Sequence, residues 1–265
     1  MGSTTRDAIA ASRAALAAIR GTVDLATAEE LLAAGRIIGD SAPLRTVLGD
    51  PATDSATKRA ALKAVFGTSV SAAVLELLGV VVSNRWSSED DLLAGVEELG
   101  LRAAADSAPQ GADIEGELFA FGKVVGSNGE LELAIGSKLG DRDSKVALVE
   151  RLVAGKVSGQ SLAILRHLVR QPRGRRIKAL IGDAAGIVAD QTGFAIATVT
   201  TAKPIASSQL SRLQAGLSDT YGRQLKINQV VDPDLIGGVR VQIGDDIIDG
   251  SVATRLNDLR LQLAG

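Results

Sequence analysis

Cysteine is absent from this chain of 265 residues, and histidine occurs once, at His167. Without thiols there is no disulfide framework, no thiolate metal site and no cysteine nucleophile. A single histidine excludes a HExxH zinc site and any multi-histidine metal cluster. Aromatic residues are only 2% of the chain. Ligand pockets recruit aromatic walls and a few convergent polar groups, so the usual material for a small-molecule site is scarce. Neither sign of charge dominates, with 29 Lys+Arg against 31 Asp+Glu and a net charge of -2. That argues against a wholly basic nucleic-acid binder and leaves room for a local patch. Apolar runs such as Leu77–Val82 fall far short of the ~20 residues that span a bilayer. The N-terminus, with Arg6 and Asp7 among small residues, does not read as a signal peptide, and a cytoplasmic protein is expected.

What is present is aliphatic. Hydrophobic residues make up 46%, and Ala, Val, Leu and Ile must build the core. A chain of this length can bury roughly three quarters of its unfolded surface and needs no covalent staples. Helical periodicity runs through the first ~190 residues. Ile9, Leu16 and Ile19 mark a helix over 8–20. Thr27 with Glu30 reads as a capping box ahead of a stripe of Leu31, Leu32 and Gly35. Lys58–Phe66 and Ser71–Val82 follow. Ser88 caps a helix whose stripe is Leu92, Val96, Leu99 and Ala103. Pro109 and Gly111 break the chain. Ile114, Leu118, Phe121 and Val125 resume the spacing, with further helices near 143–154, 159–170 and 176–191.

After Gly193 the period changes to two. Phe194, Ile196, Thr198 and Thr200 alternate with smaller residues, as do Leu225, Ile227, Gln229 and Val231, and then Val239, Val241 and Ile243. Leu210, Leu213, Leu217 and Tyr221 form a helix face between the first two strands. Gly244-Asp245-Asp246 reads as a hairpin turn, and Val252, Leu256, Leu259 and Leu263 as a closing helix. The expected fold class is α+β: an all-α, internally duplicated helical bundle followed by a small β-α-β-β-α domain. The expected boundaries are 1–110 for the first bundle copy, 111–191 for the second and 192–265 for the closing domain.

The duplication rests on a gapless repeat at an offset of 87. Gly35, Gly39, Leu44, Gly49, Asp54, Lys58, Ala60, Ser71, Leu75 and Leu78 recur as Gly122, Gly126, Leu131, Gly136, Asp141, Lys145, Ala147, Ser158, Leu162 and Leu165. Arg36 with Lys123, Ile37 with Val124 and Ile38 with Val125 fill between them. Two copies are too few for a solenoid, and the helix near 88–107 sits where one copy ends and the next begins.

Several constellations invite chemistry. His167 would need an orienting acid and a nucleophile to act as a base, and no motif supplies them, so it reads as a core residue. Asp245, Asp246 and Asp249 lack the regular oxygen spacing of a calcium loop. Gly237-Gly238 lacks the glycine pattern and the helix start of a phosphate loop and reads as close backbone approach at a strand start. No catalytic, cofactor-binding or metal-ligating residue is therefore expected. Arg166, Arg170, Arg173, Arg175, Arg176 and Lys178 form the strongest charge run. It could attract phosphate, yet no interleaved aromatic offers a stacking platform for bases. A helical groove that accepts a partner helix is the functional class this composition favours.

The stretch Ile227-Asn228-Gln229-Val230-Val231-Asp232-Pro233-Asp234-Leu235-Ile236-Gly237-Gly238-Val239-Arg240-Val241-Gln242-Ile243-Gly244-Asp245 resembles the signature of the delta subunit of F-type ATP synthases, whose mitochondrial counterpart is the oligomycin-sensitivity-conferring protein. Asp249-Gly250-Ser251-Val252 and Arg255-Leu256 match the pattern that opens the family's last helix. Thr198-Val199-Thr200-Thr201-Ala202 with Pro204 resembles its first strand. The chain is longer than the usual bacterial form by roughly the repeat offset, so which copy keeps the family's binding role is open. The resemblance implies a non-catalytic peripheral-stalk subunit without cofactor or metal. Its helical bundle would grip N-terminal helices of the alpha subunits, and its C-terminal domain would hold the C-terminus of the b subunit. It implies a peripheral position on the cytoplasmic face of the cell membrane, reached only through the complex, and no nucleic-acid partner. Two other readings compete: a helical adaptor that binds RNA through the 166–178 run, and an enzyme with a helical lid over the small domain.

Overall fold

Short polar side chains set the helix starts. Asp24, Ser41, Asp54, Ser71, Ser88, Asp113, Asn128, Asp141 and Ser158 each occupy the position before a helix and accept the backbone N–H three residues on. Each satisfies one of the N–H groups that a helix start leaves without an internal partner. The computed structural model describes residues 2–137 and 140–250. The chain divides into two compact units, Met1–Val188 and Ala189–Gly265.

The first unit is helical: α1 (Ser3–Ala18), α2 (Leu25–Asp40), α3 (Ala42–Gly49), α4 (Ser55–Phe66), α5 (Ala72–Ser83), α6 (Glu89–Asp106), α7 (Ile114–Gly126), α8 (Gly129–Gly136), α9 (Arg142–Val153), α10 (Gly159–Arg170) and α11 (Ile177–Gln191). Shifted by 87, the spans of α3, α4 and α5 fall residue for residue on α8, α9 and α10. The caps match as well, Asp54 with Asp141 and Ser71 with Ser158. So does a tertiary contact. Glu30 accepts the N–H of Ser71 at 2.8 Å, and Glu117, its equivalent, accepts the N–H of Ser158 at 2.9 Å. Core positions keep phase: Leu31 and Leu118, Ile38 and Val125, Leu48 and Ile135, Leu62 and Val149 are all buried. The repeat is thus a repeat of elements, caps and contacts.

One helix belongs to both copies. The span of α1 shifted by 87 is 90–105, which lies inside α6, and α6 shifted again meets α11. Helix α6 closes the first six-helix set and opens the second. It is buried on every side, with Leu92, Leu93 and all of Gly95–Ala105 out of water. A helix buried all round belongs to a core.

Three expectations change. Helices α3 and α8 are absent from the periodicity reading because both are too short to build a stripe. In α3, Pro43 sits in the first turn, where its missing N–H costs nothing. Thr27 and Glu30 do not form a capping box. Asp24 is the cap and accepts both the N–H and the hydroxyl of Thr27, which frees Glu30 to reach Ser71. Asp246 begins the last described strand and does not complete the turn before it.

The second unit carries β1 (Phe194–Thr201), α12 (Ser207–Tyr221), β2 (Gln224–Val231), β3 (Val239–Ile243) and β4 (Asp246–Asp249) in the order β2-β1-β3-β4. β1 and β2 are parallel, joined through α12, and β3 is antiparallel to both β1 and β4. Ala197, Val199, Leu225 and Val241 meet Leu217 of α12 in a small core. Gly244, at φ +59°, with Asp245 makes the two-residue hairpin connection. Gly237 and Gly238 have φ +66° and +80°, a region that side chains disfavour, so the pair serves backbone geometry ahead of β3. The expected closing helix, with Leu256, Leu259 and Leu263, lies outside the described residues.

Candidate functional site: a covered and an open helix seam

Because α6 stands in the second set where α1 stands in the first, the seam α6–α10 is the counterpart of the seam α1–α5. The two are treated differently. On the second set, α2 runs along α10. A Cβ on Gly159 would sit 3.0 Å from Leu25, Arg36 Nη1 meets His167 Nδ1 at 3.2 Å, and Gln171 Nε2 donates to the Arg36 carbonyl at 3.4 Å. The same helix presses on α6. A Cβ on Gly35 would lie 3.3 Å from Val96, and one on Gly100 would lie 2.5 Å from Leu32. Gly100 is what permits this approach, since a side chain there would displace Leu32.

The counterpart seam on the first set carries no helix among the described residues. Ala10, Ala14, Ala17 and Ala18 of α1 are exposed, whereas their equivalents Glu97, Leu101, Ala104 and Ala105 are buried. On α5, Ala73 and Glu76 are exposed and Val80 is half-buried, whereas Gln160, Ala163 and His167 are buried. The α6 residues that meet α2, Val96 and Gly100, have as equivalents on α1 Ile9, which is buried, and Arg13, which is exposed; beside them Ala10, Ala14, Ala17 and Ala18 present small side chains that allow a partner backbone to come close.

Charge fastens the covered seam. Glu97 accepts from His167 Nε2 at 3.1 Å, Arg173 Nη2 at 2.9 Å and Arg175 Nη2 at 2.8 Å. Burial by itself would raise the Glu97 carboxyl, but the His167 hydrogen bond and the Arg173 charge outweigh it and hold the group at about 2. His167 is lowered, first by burial, against the opposing pull of Glu97. Arg36 can only donate, so Nδ1 accepts from it and Nε2–H donates to Glu97. That fixes a neutral imidazole, in accord with its lowered pKa. Arg173 holds φ +47° in the loop between α10 and α11, followed by Gly174 at +74°. This backbone, unusual for a side-chain-bearing residue, turns both arginines back onto Glu97. A second buried carboxylate, Glu98, bonds Arg102 Nε at 2.7 Å and Arg13 of α1 at 2.7 Å. Two clefts, about 310 and 480 Å³, lie between α2 and α9–α10; Arg36 and Arg170 line both. Acidic and basic groups line them together, so they present no single sign of charge.

The basic run is largely spent within the fold. Arg166 pairs with Glu150 at 2.6 Å and Arg170 with Asp143 at 2.6 Å, while Arg173 and Arg175 share Glu97. His167 is a core residue, 1% exposed, flanked by an acid but by no nucleophile that a base could activate. Asp245, Asp246 and Asp249 lie at and beyond the β3–β4 turn. Among the described residues, no group of three or more His, Cys, Asp or Glu side chains is placed to hold a metal ion, and no helix is long and apolar enough to cross a membrane. Glu97, Glu98 and Arg36 were not legible as site residues. The one signal for the two acids is that, with Arg102, they interrupt the α6 pattern at 97, 98 and 102.

Fold and seams together define an α+β protein: a doubled helical scaffold with one covered and one open seam, followed by a small mixed-sheet unit. The family model for the ATP synthase delta (OSCP) subunit matches residues 100–263. An ATP synthase subunit delta from Leifsonia xyli is 56% identical over 265 residues, covering 100% of both chains. Another from Streptomyces griseus is 38% identical over 271 residues, again covering 100% of both. Among solved structures, a chain of the Toxoplasma gondii mitochondrial ATP synthase hexamer is 22% identical, with a TM-score of 0.41, covering 63% of this chain and 95% of that one. The chain belongs to the ATP synthase delta (OSCP) subunit family. The family match begins inside α6, and both bacterial relatives extend across the first helical set as well.

Proposed function

We propose that this protein is a non-catalytic stator subunit of the F-type ATP synthase. Its helical unit holds the N-terminal helix of an alpha subunit, its C-terminal unit holds the C-terminus of the b subunit, and it sits on the cytoplasmic face of the cell membrane through the complex alone. Such a strap keeps the catalytic head from turning with the central shaft, so that proton flow drives ATP synthesis. The observation that carries this reading is the open α1–α5 seam. Its equivalent within the same chain is filled by a helix, so the shape accommodates a helix, and the alanines of α1 leave room for one. The basic run speaks for this reading over RNA binding, since four of its side chains are engaged by carboxylates. Neither end contact has to be tight alone, because tethering at both ends raises the combined hold by ~10²–10⁴.

The test is co-purification from membranes together with ATP synthesis in reconstituted vesicles. Ala10→Glu with Ala14→Glu should release the alpha contact and keep b. Deletion of residues 251–265 should release b and uncouple synthesis, while the head still hydrolyses ATP. Retention of both partners and of coupled synthesis in both variants would sink the assignment.

A further inference from the structure

We infer that α2 stands in for a partner helix on the second set, so that two helical sets give this protein one helix-docking seam instead of two. The covered seam has the marks of a docked helix. Helix α2 lies along α10, from Leu25 beside Gly159 to Gly39 beside Gln171, while its packing of Leu32 on Gly100 and Gly35 on Val96 of α6 is the first set's own, repeated in the second by Gly122 beside Ile181. It is held at its edges by the Arg36–His167 contact and by Arg142 of α9, which reaches Asp40 at 2.9 Å. A tethered helix competes at an effective concentration of the order of millimolar. An external helix at cellular concentration therefore loses to α2 on this seam. On α1–α5 no segment of the described chain competes.

The duplication thus converts one docking groove into an internal joint. The second set is fastened to the first by the kind of contact the first offers to another chain. The helix that fits the open seam resembles α2 in its contact stripe: large aliphatic side chains spaced like Leu25 and Leu32, with small residues where the backbones approach. Taking the N-terminal helix of the alpha subunit as this partner rests on the function proposed above; the self-covered seam does not.

The chain has no cysteine, so an introduced pair is unambiguous. In the full-length protein, Leu25→Cys with Gly159→Cys, bridged by a short bis-maleimide, locks α2 onto α10. A synthetic peptide of the alpha N-terminal segment is then titrated by calorimetry onto locked and unlocked protein. The expected result is efficient bridging, one peptide per chain in both forms, affinities within about twofold, and at least a tenfold loss on Ala10→Glu with Ala14→Glu. Two sites on the unlocked chain that fall to one on locking would overturn the inference, because α2 would then yield its seam. Failure of the pair to bridge would overturn it as well. Efficient bridging with no peptide bound to either form would refute alpha as the partner and support the self-covered seam, which blocks a helix with or without the lock.

Discussion

Helices α1 and α6 occupy the same slot in two copies of one design; they share one buried face, Thr5, Ala8, Ile9, Ser12 and Leu16 matching Leu92, Gly95, Val96, Leu99 and Ala103, and differ on the other. One shows water a face of alanines; the other is surrounded on every side and carries Glu97, Glu98 and Arg102 into the interior. The slot fixes where a helix goes, and its neighbours fix what that helix must carry. A helix with one free face can be cheap and small. A helix shared by two sets must be specified on all sides, and here the specification is ionic. Replacing a buried ion cluster with apolar residues is often neutral or stabilising, whereas removing one partner is costly. The Glu97 cluster pins α6 to α10 through His167 and to the loop after it through Arg173 and Arg175.

The largest expected effect breaks that pin. Glu97→Ala leaves Arg173 and Arg175 facing each other without a carboxylate and should cost about 3–5 kcal/mol in denaturant unfolding. Removing Arg13 from the partly exposed pair on Glu98 should cost less than about 1 kcal/mol. Equal losses would mean that α1 and α6 are not distinguished by their ionic partners.

Acid should act on the same cluster. Glu97 has a depressed folded pKa, so its contribution is complete above the ordinary carboxylate value of 4.5 and is lost as pH falls toward about 2. The shift corresponds to roughly 3 kcal/mol. His167 is also lowered in the fold, so the unfolded chain binds the extra proton, and stability falls as pH drops below the ordinary histidine value of 6.5. A stability-versus-pH curve should thus decline first below about 6.5 and again below 4.5. His167→Gln should remove the upper limb and keep the lower one. An unchanged upper limb would show that another group titrates there.

Packing gives the next effect. Gly100→Val drives a side chain into Leu32, whose Cδ2 lies 2.5 Å from the added Cβ, and should cost about 1–3 kcal/mol by overpacking. Its counterpart in the first set is Arg13, which is exposed, so Arg13→Val should be near neutral. The smallest effect tests what the copies share. Asp54→Ala and Asp141→Ala remove equivalent caps, and each should cost about 0.5–2 kcal/mol. Thermal melts that differ by more than that range would show that the copies no longer fold alike at α4 and α9.

Much of this architecture could be read along the chain. The alternation from Phe194 to Thr200 and the helix face from Leu210 to Tyr221 fall within β1 and α12, because period-two and period-3.6 patterns act over a few residues. Ser88 was legible as a cap for the same reason. The repeat was legible because Asp54, Lys58 and Ser71 recur with the elements they cap or stabilise. The family was legible in 227–245. Helices α3 and α8 were not, being too short for a stripe, and the cap at Asp24 was hidden by the more familiar Thr27–Glu30 pattern.

The sequence by itself determined the local elements, the order of the two units and the existence of two copies, since caps, turns and periodicity are interactions between near neighbours. Only the tertiary structure decided which copy is open. The face of α6 that carries Glu97 reads locally as a solvated polar face. It is interior because His167, Arg173 and Arg175 arrive from 70 to 78 residues away, and because α2 lies in a seam made by helices from both sets. Nothing within one turn of Ala14 or Leu101 states that the first will face water and the second will not. That difference follows from what each helix meets once the copies have packed.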